Sequence, residues 1–163
     1  MTLNLSQSLS ELIDARMASV LDSWRCTPYL DAHDRKGVGV DCVRFVDKVL
    51  QELFRISLDP LPKLPAATSL HSPRGVALMT RLMRSRFGCQ TIRRPTRADL
   101  EVGDVVLESD SSRPLGGHAL IVGPGMRLWH SDSEVGVGTA SWGARATLLR
   151  AWRPAGKDTW ATL

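Results

Sequence analysis

Apolar residues at helical spacing dominate the start of the chain. They recur every three or four positions and predict a helix from about residue 9 to 24. Ser8 followed by Glu11 has the form of a capping box, in which each side chain covers the other residue's backbone N–H. The polar stretch 31–39, which ends in Gly-Val-Gly, is predicted to be a loop.

Two further apolar stripes each follow a capping signal. The first predicts a helix that opens at Asp41-Cys42, with Asp41 as its N-cap. The second predicts a helix from Ser72-Pro73, an N-cap with proline in the first turn, to about Phe87. Residues 57–71 lie between them, contain three prolines, and are predicted to be a connecting loop.

After Gly88 the pattern changes from helical spacing to short apolar runs separated by glycines. The runs that predict strands are 105–107, 119–122, 126–129 and 146–152. Gly123-Pro124-Gly125 between two of them predicts a hairpin. Helices first and strands afterwards indicate an α+β fold, with N-terminal helices packed on a C-terminal antiparallel β-sheet.

The composition is that of one compact domain with free thiols. Of the 163 residues, 43% are hydrophobic, which is enough for residues 1–163 to bury a core of their own. The three cysteines are odd in number and include no C-x-x-C pair, which disfavours a disulfide framework or a cysteine-rich zinc site. No run approaches the roughly 18 apolar residues that span a bilayer, so no membrane partner is expected.

The charge and the N-terminus bear on partners and location. A net charge of +4 favours a polyanionic partner such as nucleic acid, an acidic surface or bacterial cell wall. Residues 1–10 contain no basic stretch followed by an apolar one. We therefore expect synthesis in the cytoplasm without a visible signal peptide, with delivery by host lysis, a virion or a secretion machine left open.

Cys42 combines two properties that a thiol nucleophile needs. A thiol attacks as thiolate, and the unpaired N–H groups and dipole of a helix N-terminus favour that negative charge. The same turn can offer the Cys42 backbone N–H to an oxyanion. The sequence alone leaves a second interpretation open, because cysteine is often only a small buried hydrophobe.

Two histidines follow at positions suited to a base and its partner. His118 opens a strand-like run directly after two glycines, and His130 ends the next run. If the Gly-Pro-Gly turn makes these strands neighbours, His130 can bond the second ring nitrogen of His118 and fix its tautomer. Either histidine could instead be an ordinary polar residue at a strand end.

Five short blocks of sequence resemble one family, the NlpC family of cell-wall peptidases, which have a papain-like core. The blocks are Cys26-Thr-Pro-Tyr29, Gly39-Val-Asp41-Cys42, Val102-Gly103-Asp104-Val-Val, His118-Ala-Leu-Ile-Val-Gly123 and Leu128-Trp-His130. Each block is short, but the blocks have the order and spacing of the family, and the resemblance covers the chain from about residue 12 to 152. The stand-alone members associated with phage tails are the most similar branch.

The resemblance implies a cysteine peptidase that cuts the bond between γ-D-glutamate and a diamino acid in peptidoglycan stem peptides. It implies Cys42 as nucleophile, His118 as base and His130 as third member of a Cys-His-His triad. It also implies that Tyr29 lies beside the oxyanion or substrate and that Asp41 helps recognise a free amine. No metal or organic cofactor is implied, and the expected partners are peptidoglycan peptides, with phage tail or secretion-machine components as further candidates.

The chain departs from the family after the cysteine. Val43 and Arg44 stand where the family has small residues, often serine and then glycine. Arg44 could bind a carboxylate, or it could be a solvated helix residue. The arginine-rich segment 81–97 has no family counterpart; a solvated helix face explains it better than nucleic-acid binding, which is not expected.

Several functions remain open at this point. The same triad would serve a papain-like amidase, a deamidase or an acyltransferase effector. A non-catalytic module of a phage tail assembly is an alternative of a different class, and the departures at Val43 and Arg44 are what favour it.

Overall fold

Three helices precede a six-stranded antiparallel sheet in the computed structural model, which describes residues 5–62, 70, 72–110, 117–140, 142 and 146–162. The helices are α1 (Leu5–Trp24), α2 (Cys42–Phe54) and α3 (Pro73–Phe87). A short ribbon, β1 (Asp34–Arg35) and β2 (Gly39–Val40), precedes α2. The large sheet consists of β3 (Gln90–Arg93), β4 (Val105–Asp110), β5 (Gly117–Val122), β6 (Leu128–Asp132), β7 (Gly136–Ala140) and β8 (Ala146–Arg153), in the order β3-β8-β4-β5-β6-β7. The predicted α+β class is confirmed.

The two predicted N-caps are present. The Asp41 carboxylate accepts the Arg44 N–H at 2.8 Å, and the Ser72 hydroxyl accepts the Gly75 N–H at 3.0 Å. Helix α1 differs from its prediction because it begins at Leu5, so Ser8 lies inside the helix and is not its N-cap. The side chain of Ser8, and with it the predicted capping box, lies outside the described residues.

Some strands were not predicted because their sequences resemble turns. The stretch 31–39 was predicted to be a loop but contributes the β1–β2 ribbon, and Gly136–Ala140 forms β7 although its glycines suggested a break. Strand β7 is stabilised by long-range pairing, because Val137 exchanges backbone hydrogen bonds with Cys26 and Thr27. The predicted hairpin is confirmed, although Pro124–Met126 forms a 3-10 turn and β6 begins only at Leu128.

The hydrophobic core lies mainly between the helices and one face of the sheet. Alternation along β5 sends Ala119 and Ile121 into this cluster and Leu120 and Val122 into a smaller cluster on the opposite face. The fully buried apolar side chains of α2 face the larger cluster; they are Phe45, Val46, Val49, Leu50 and Leu53. At about 25 cal/mol per Å² of apolar surface, this stripe fixes α2 firmly against the sheet.

Ion pairs that include a buried carboxylate connect elements that are distant in sequence. Asp47 of α2 pairs with Arg86 of α3 at 2.6 Å, and Asp104 pairs with Arg153 of β8 at 2.8 Å. Arg86 is therefore not the solvated helix residue that the sequence suggested. None of the helices in the described part of the chain is both long enough and apolar enough to cross a membrane.

Candidate active site

The start of α2 meets the sheet where two central strands stop pairing. The ladder between β5 and β6 consists of Ile121 with Trp129 and Val122 with Leu128. Beyond it, residues 118–120 and 130–132 flank a gap that we call the fork. The Ser131 hydroxyl donates to the Val40 carbonyl at 2.7 Å, which holds β6 against the residue just before the Asp41 cap. The fork and the helix N-terminus therefore form one site.

Cys42 is the first residue of α2 and is 9% exposed. The backbone N–H groups of Ala119, Val43 and Cys42 itself lie near enough to its sulfur to favour the thiolate, that of Ala119 most strongly. The Asp41 cap serves the next two amides of the helix, since its carboxylate accepts from Arg44 and its carbonyl from Phe45. The N–H groups that act on the thiol thus come from both the helix and β5, where Ala119 directly follows His118.

The resting thiol is nevertheless protonated at neutral pH. Burial raises the pKa of Cys42 to about 12, the N–H group of Ala119 lowers it, and the negative charge of Asp41 raises it further. The sequence predicted a net lowering by the helix N-terminus, and that prediction was wrong. The N–H groups do act in the expected direction, but the loss of hydration outweighs them. A thiolate would form at neutral pH only if a base took the proton of the thiol.

His118 and His130 meet across the fork. The Nε2 atom of His118 lies 2.6 Å from Nδ1 of His130, and the two rings are nearly perpendicular, at 86°. Both side chains are buried. The predicted contact between the two imidazoles is present, and it leaves Nδ1 as the other ring nitrogen of His118.

Asp132 adds a carboxylate to this pair. One ligand atom each from His118, His130 and Asp132 lies within 4.8 Å of the others. Two imidazoles and one carboxylate at this spacing could hold a divalent transition-metal ion, and they could equally form a hydrogen-bonded chain. Asp132 was not singled out in the sequence, although its position two residues after His130 on a strand places both side chains on one face.

Tyr29 borders the same site. Its backbone forms a bridge with Val40, and its side chain is half-buried. Burial raises the pKa of its hydroxyl to about 12, and the charges of Cys42, Asp41 and Asp132 contribute. The hydroxyl is therefore a hydrogen-bond donor at neutral pH, close enough to Cys42 and Asp132 to be influenced by both.

Asp41 and Arg44 form a buried ion pair beside Cys42. The Arg44 guanidinium donates to the Asp41 carboxylate at 2.6 Å and to the Pro62 carbonyl at 3.1 Å. Asp41 also accepts the Ala32 N–H at 3.1 Å. Arg44 is therefore not a solvated helix residue, and the carboxylate that the family resemblance assigns to amine recognition is already paired within the protein.

The remaining cysteines differ from Cys42 in their surroundings. Cys26 is exposed, whereas Cys89 is buried and its pKa is raised to about 12 by burial and by the charge of Asp104. They provide internal references for the reactivity of Cys42.

Comparison with family models gives no match for this chain, and comparison with curated proteins gives no significant match.

We expect iodoacetamide to alkylate Cys42 slowly at pH 7. Because its thiol is buried and protonated, its rate should be at least about 100-fold below that of exposed Cys26 and should rise about tenfold per pH unit toward pH 10. Peptide mapping by mass spectrometry after timed labelling measures both rates in one sample. Faster labelling of Cys42 than of Cys26 at pH 7 would indicate a thiolate already present in the resting protein.

Proposed function

We propose that this protein is a papain-like cysteine hydrolase of the NlpC type that cleaves amide bonds in peptidoglycan stem peptides. One observation carries the proposal: His118 contacts His130 at 2.6 Å across the fork, and the N–H group of Ala119, the residue after His118, acts on the Cys42 thiol at the start of α2. A cysteine buried only for packing has no need of a helix N-terminus and of an N–H group that directly follows one member of a histidine pair. The sequence blocks that resemble the NlpC family support the same assignment.

The proposed reaction proceeds through a thioester. Nδ1 of His118 takes the proton of the Cys42 thiol as the sulfur attacks the substrate carbonyl carbon. The Cys42 N–H at the start of α2 and the Tyr29 hydroxyl are the donors proposed for the oxyanion. His118 then gives its proton to the departing amine as the C–N bond breaks. It next takes a proton from water as that water attacks the thioester carbon, and it returns this proton to the Cys42 sulfur as the C–S bond breaks and the acid is released.

The substrate class rests on the resemblance and on charge. The net charge of +4 suits an anionic polymer such as the cell wall. The bond proposed is the one between γ-D-glutamate and the diamino acid. We further propose that the protein reaches the wall by a virion or a secretion machine, in keeping with the similarity to phage-tail-associated members.

Mass spectrometry of peptidoglycan fragments tests the proposal. Purified muropeptides and L-Ala-γ-D-Glu-diaminopimelate peptides are incubated with wild-type protein and with Cys42→Ala. Cleavage by the wild type alone, with products that end at γ-D-glutamate, is the expected result. Products released at the muramoyl–alanine bond would instead indicate the amidase, and intact substrates would favour the tail-assembly module.

We expect a chelator to leave the activity unchanged within about twofold. The reaction proposed here uses a thiol and an imidazole, whereas His118, His130 and Asp132 also have the spacing of a metal site. Activity is measured before and after treatment with excess chelator and its removal. Loss of activity that zinc restores would favour a metal-dependent hydrolase at the same three side chains and would overturn the thiol mechanism.

A further inference from the structure

The short contact between His118 and His130 limits which of their ring nitrogens can carry a proton. Two neutral imidazoles whose nitrogens lie 2.6 Å apart share one proton between those nitrogens. If His118 takes the thiol proton at Nδ1, as the proposed function requires, its resting proton is on Nε2. His130 must then accept at Nδ1, which places its own proton on Nε2.

The Nε2–H of His130 needs an acceptor, because the imidazole is 4% exposed. We propose that Asp132 accepts this hydrogen bond and is a positioning residue that fixes the tautomers of both histidines. The proposal rests on the proposed function, but it concerns a residue outside the triad. Asp132 acts through His130 and need not contact the substrate.

Strand geometry supports this role for Asp132. It follows His130 by two positions on β6, so both side chains project from the same face. One Asp132 oxygen lies within 4.8 Å of one ring nitrogen of each histidine. The neighbours of His130 and Asp132 on β7 are Gly138 and Gly136, which bring no side chain between them. The Glu134 N–H donates to Oδ1 of Asp132 at 2.9 Å and so orients the carboxylate.

Glu108 is the competing carboxylate. It lies directly opposite His118 on β4 and is buried. It flanks His118 on the side away from β6, so it could orient that ring without acting through His130. The matched pair of variants is therefore Asp132→Asn and Glu108→Gln, each of which removes one charge with almost no change in shape.

The tautomers can be measured directly by long-range 1H–15N correlation spectra, since the chain has four histidines. In the wild type we expect both His118 and His130 to be protonated at Nε2. In Asp132→Asn we expect His130 to shift toward the Nδ1–H form, and in Asp132→Glu the wild-type form to return. Glu108→Gln should leave His130 unchanged. Backbone amide spectra of the same samples show that each variant is folded.

Activity gives the second measurement. In Asp132→Asn we expect kcat to fall about 10- to 100-fold with KM within about twofold, because the population of correctly protonated His118 falls while substrate contacts remain. A wild type with His118 protonated at Nδ1, or unchanged tautomers in Asp132→Asn, would overturn the role of Asp132. The spectra need no substrate, so this failure is distinct from failure of the proposed function, which the muropeptide digest detects.

Discussion

Replacing Cys42 by alanine should lower hydrolysis of stem peptides by a factor of about 10⁴ or more, with the fold retained. The thiol is the only protein group in the proposed reaction that forms a bond to the substrate carbon, so no neighbouring side chain can replace it. Alanine occupies less volume than cysteine, but Cys42 lies at the helix end and is 9% exposed, so the cavity is small. Kinetics on a defined muropeptide measure the loss of activity, and circular dichroism measures whether the fold is retained.

The controls come from the chain itself. Cys26→Ala and Cys89→Ala remove thiols that are exposed and buried, respectively, and both variants should keep wild-type kcat/KM within about twofold. His118→Ala should lose nearly as much activity as Cys42→Ala, and the double variant should lose little more, because the two groups act as a unit. Retention of more than a tenth of the activity in Cys42→Ala would exclude the thioester mechanism.

Local sequence signals predicted the parts of the site that are built from neighbouring residues. Asp41 as N-cap, Cys42 in the first turn and the contact between His118 and His130 follow from capping chemistry and from strands joined by a hairpin. The same kind of signal was available for Arg44, which lies three residues after Asp41 on a helix, the spacing at which side chains meet. It was missed because burial could not be inferred from spacing.

The fork and the electrostatics of the thiol could not be predicted because they depend on contacts distant in sequence. The hydrogen bond from Ser131 to Val40 joins residues 91 positions apart, and the Ala119 N–H reaches Cys42 from a different element. The helix N-terminus was expected to lower the thiol pKa, but desolvation depends on how completely the sheet covers the sulfur. Only the folded chain determines that balance.

Replacing Arg44 by methionine should lower the free energy of unfolding by about 3 kcal/mol, the low end of what breaking a buried pair costs. Both side chains of the Asp41–Arg44 pair are only 8% exposed, so the variant leaves a buried carboxylate with its cation removed. Backbone N–H groups of Ala32 and Arg44 still donate to that carboxylate and keep the loss from being larger. Urea unfolding followed by tryptophan fluorescence measures this change in the free energy of unfolding.

The double variant Asp41→Asn with Arg44→Met separates two contributions to the lost free energy of unfolding. One is the lost attraction between Asp41 and Arg44, and the other is the cost of a buried carboxylate left without its cation. Asparagine keeps the N-cap hydrogen bond but carries no charge, so we expect it to recover about half of the loss or more.

Asp22→Asn is the control, since Asp22 pairs with Arg25 at the same spacing and at 2.7 Å, but the two side chains are 59% and 49% exposed. Solvent screens that pair, so its loss should cost about 0.5 kcal/mol or less. Equal losses in Arg44→Met and Asp22→Asn would mean that burial adds nothing, and that Arg44 is fixed beside the nucleophile for a reason other than stability.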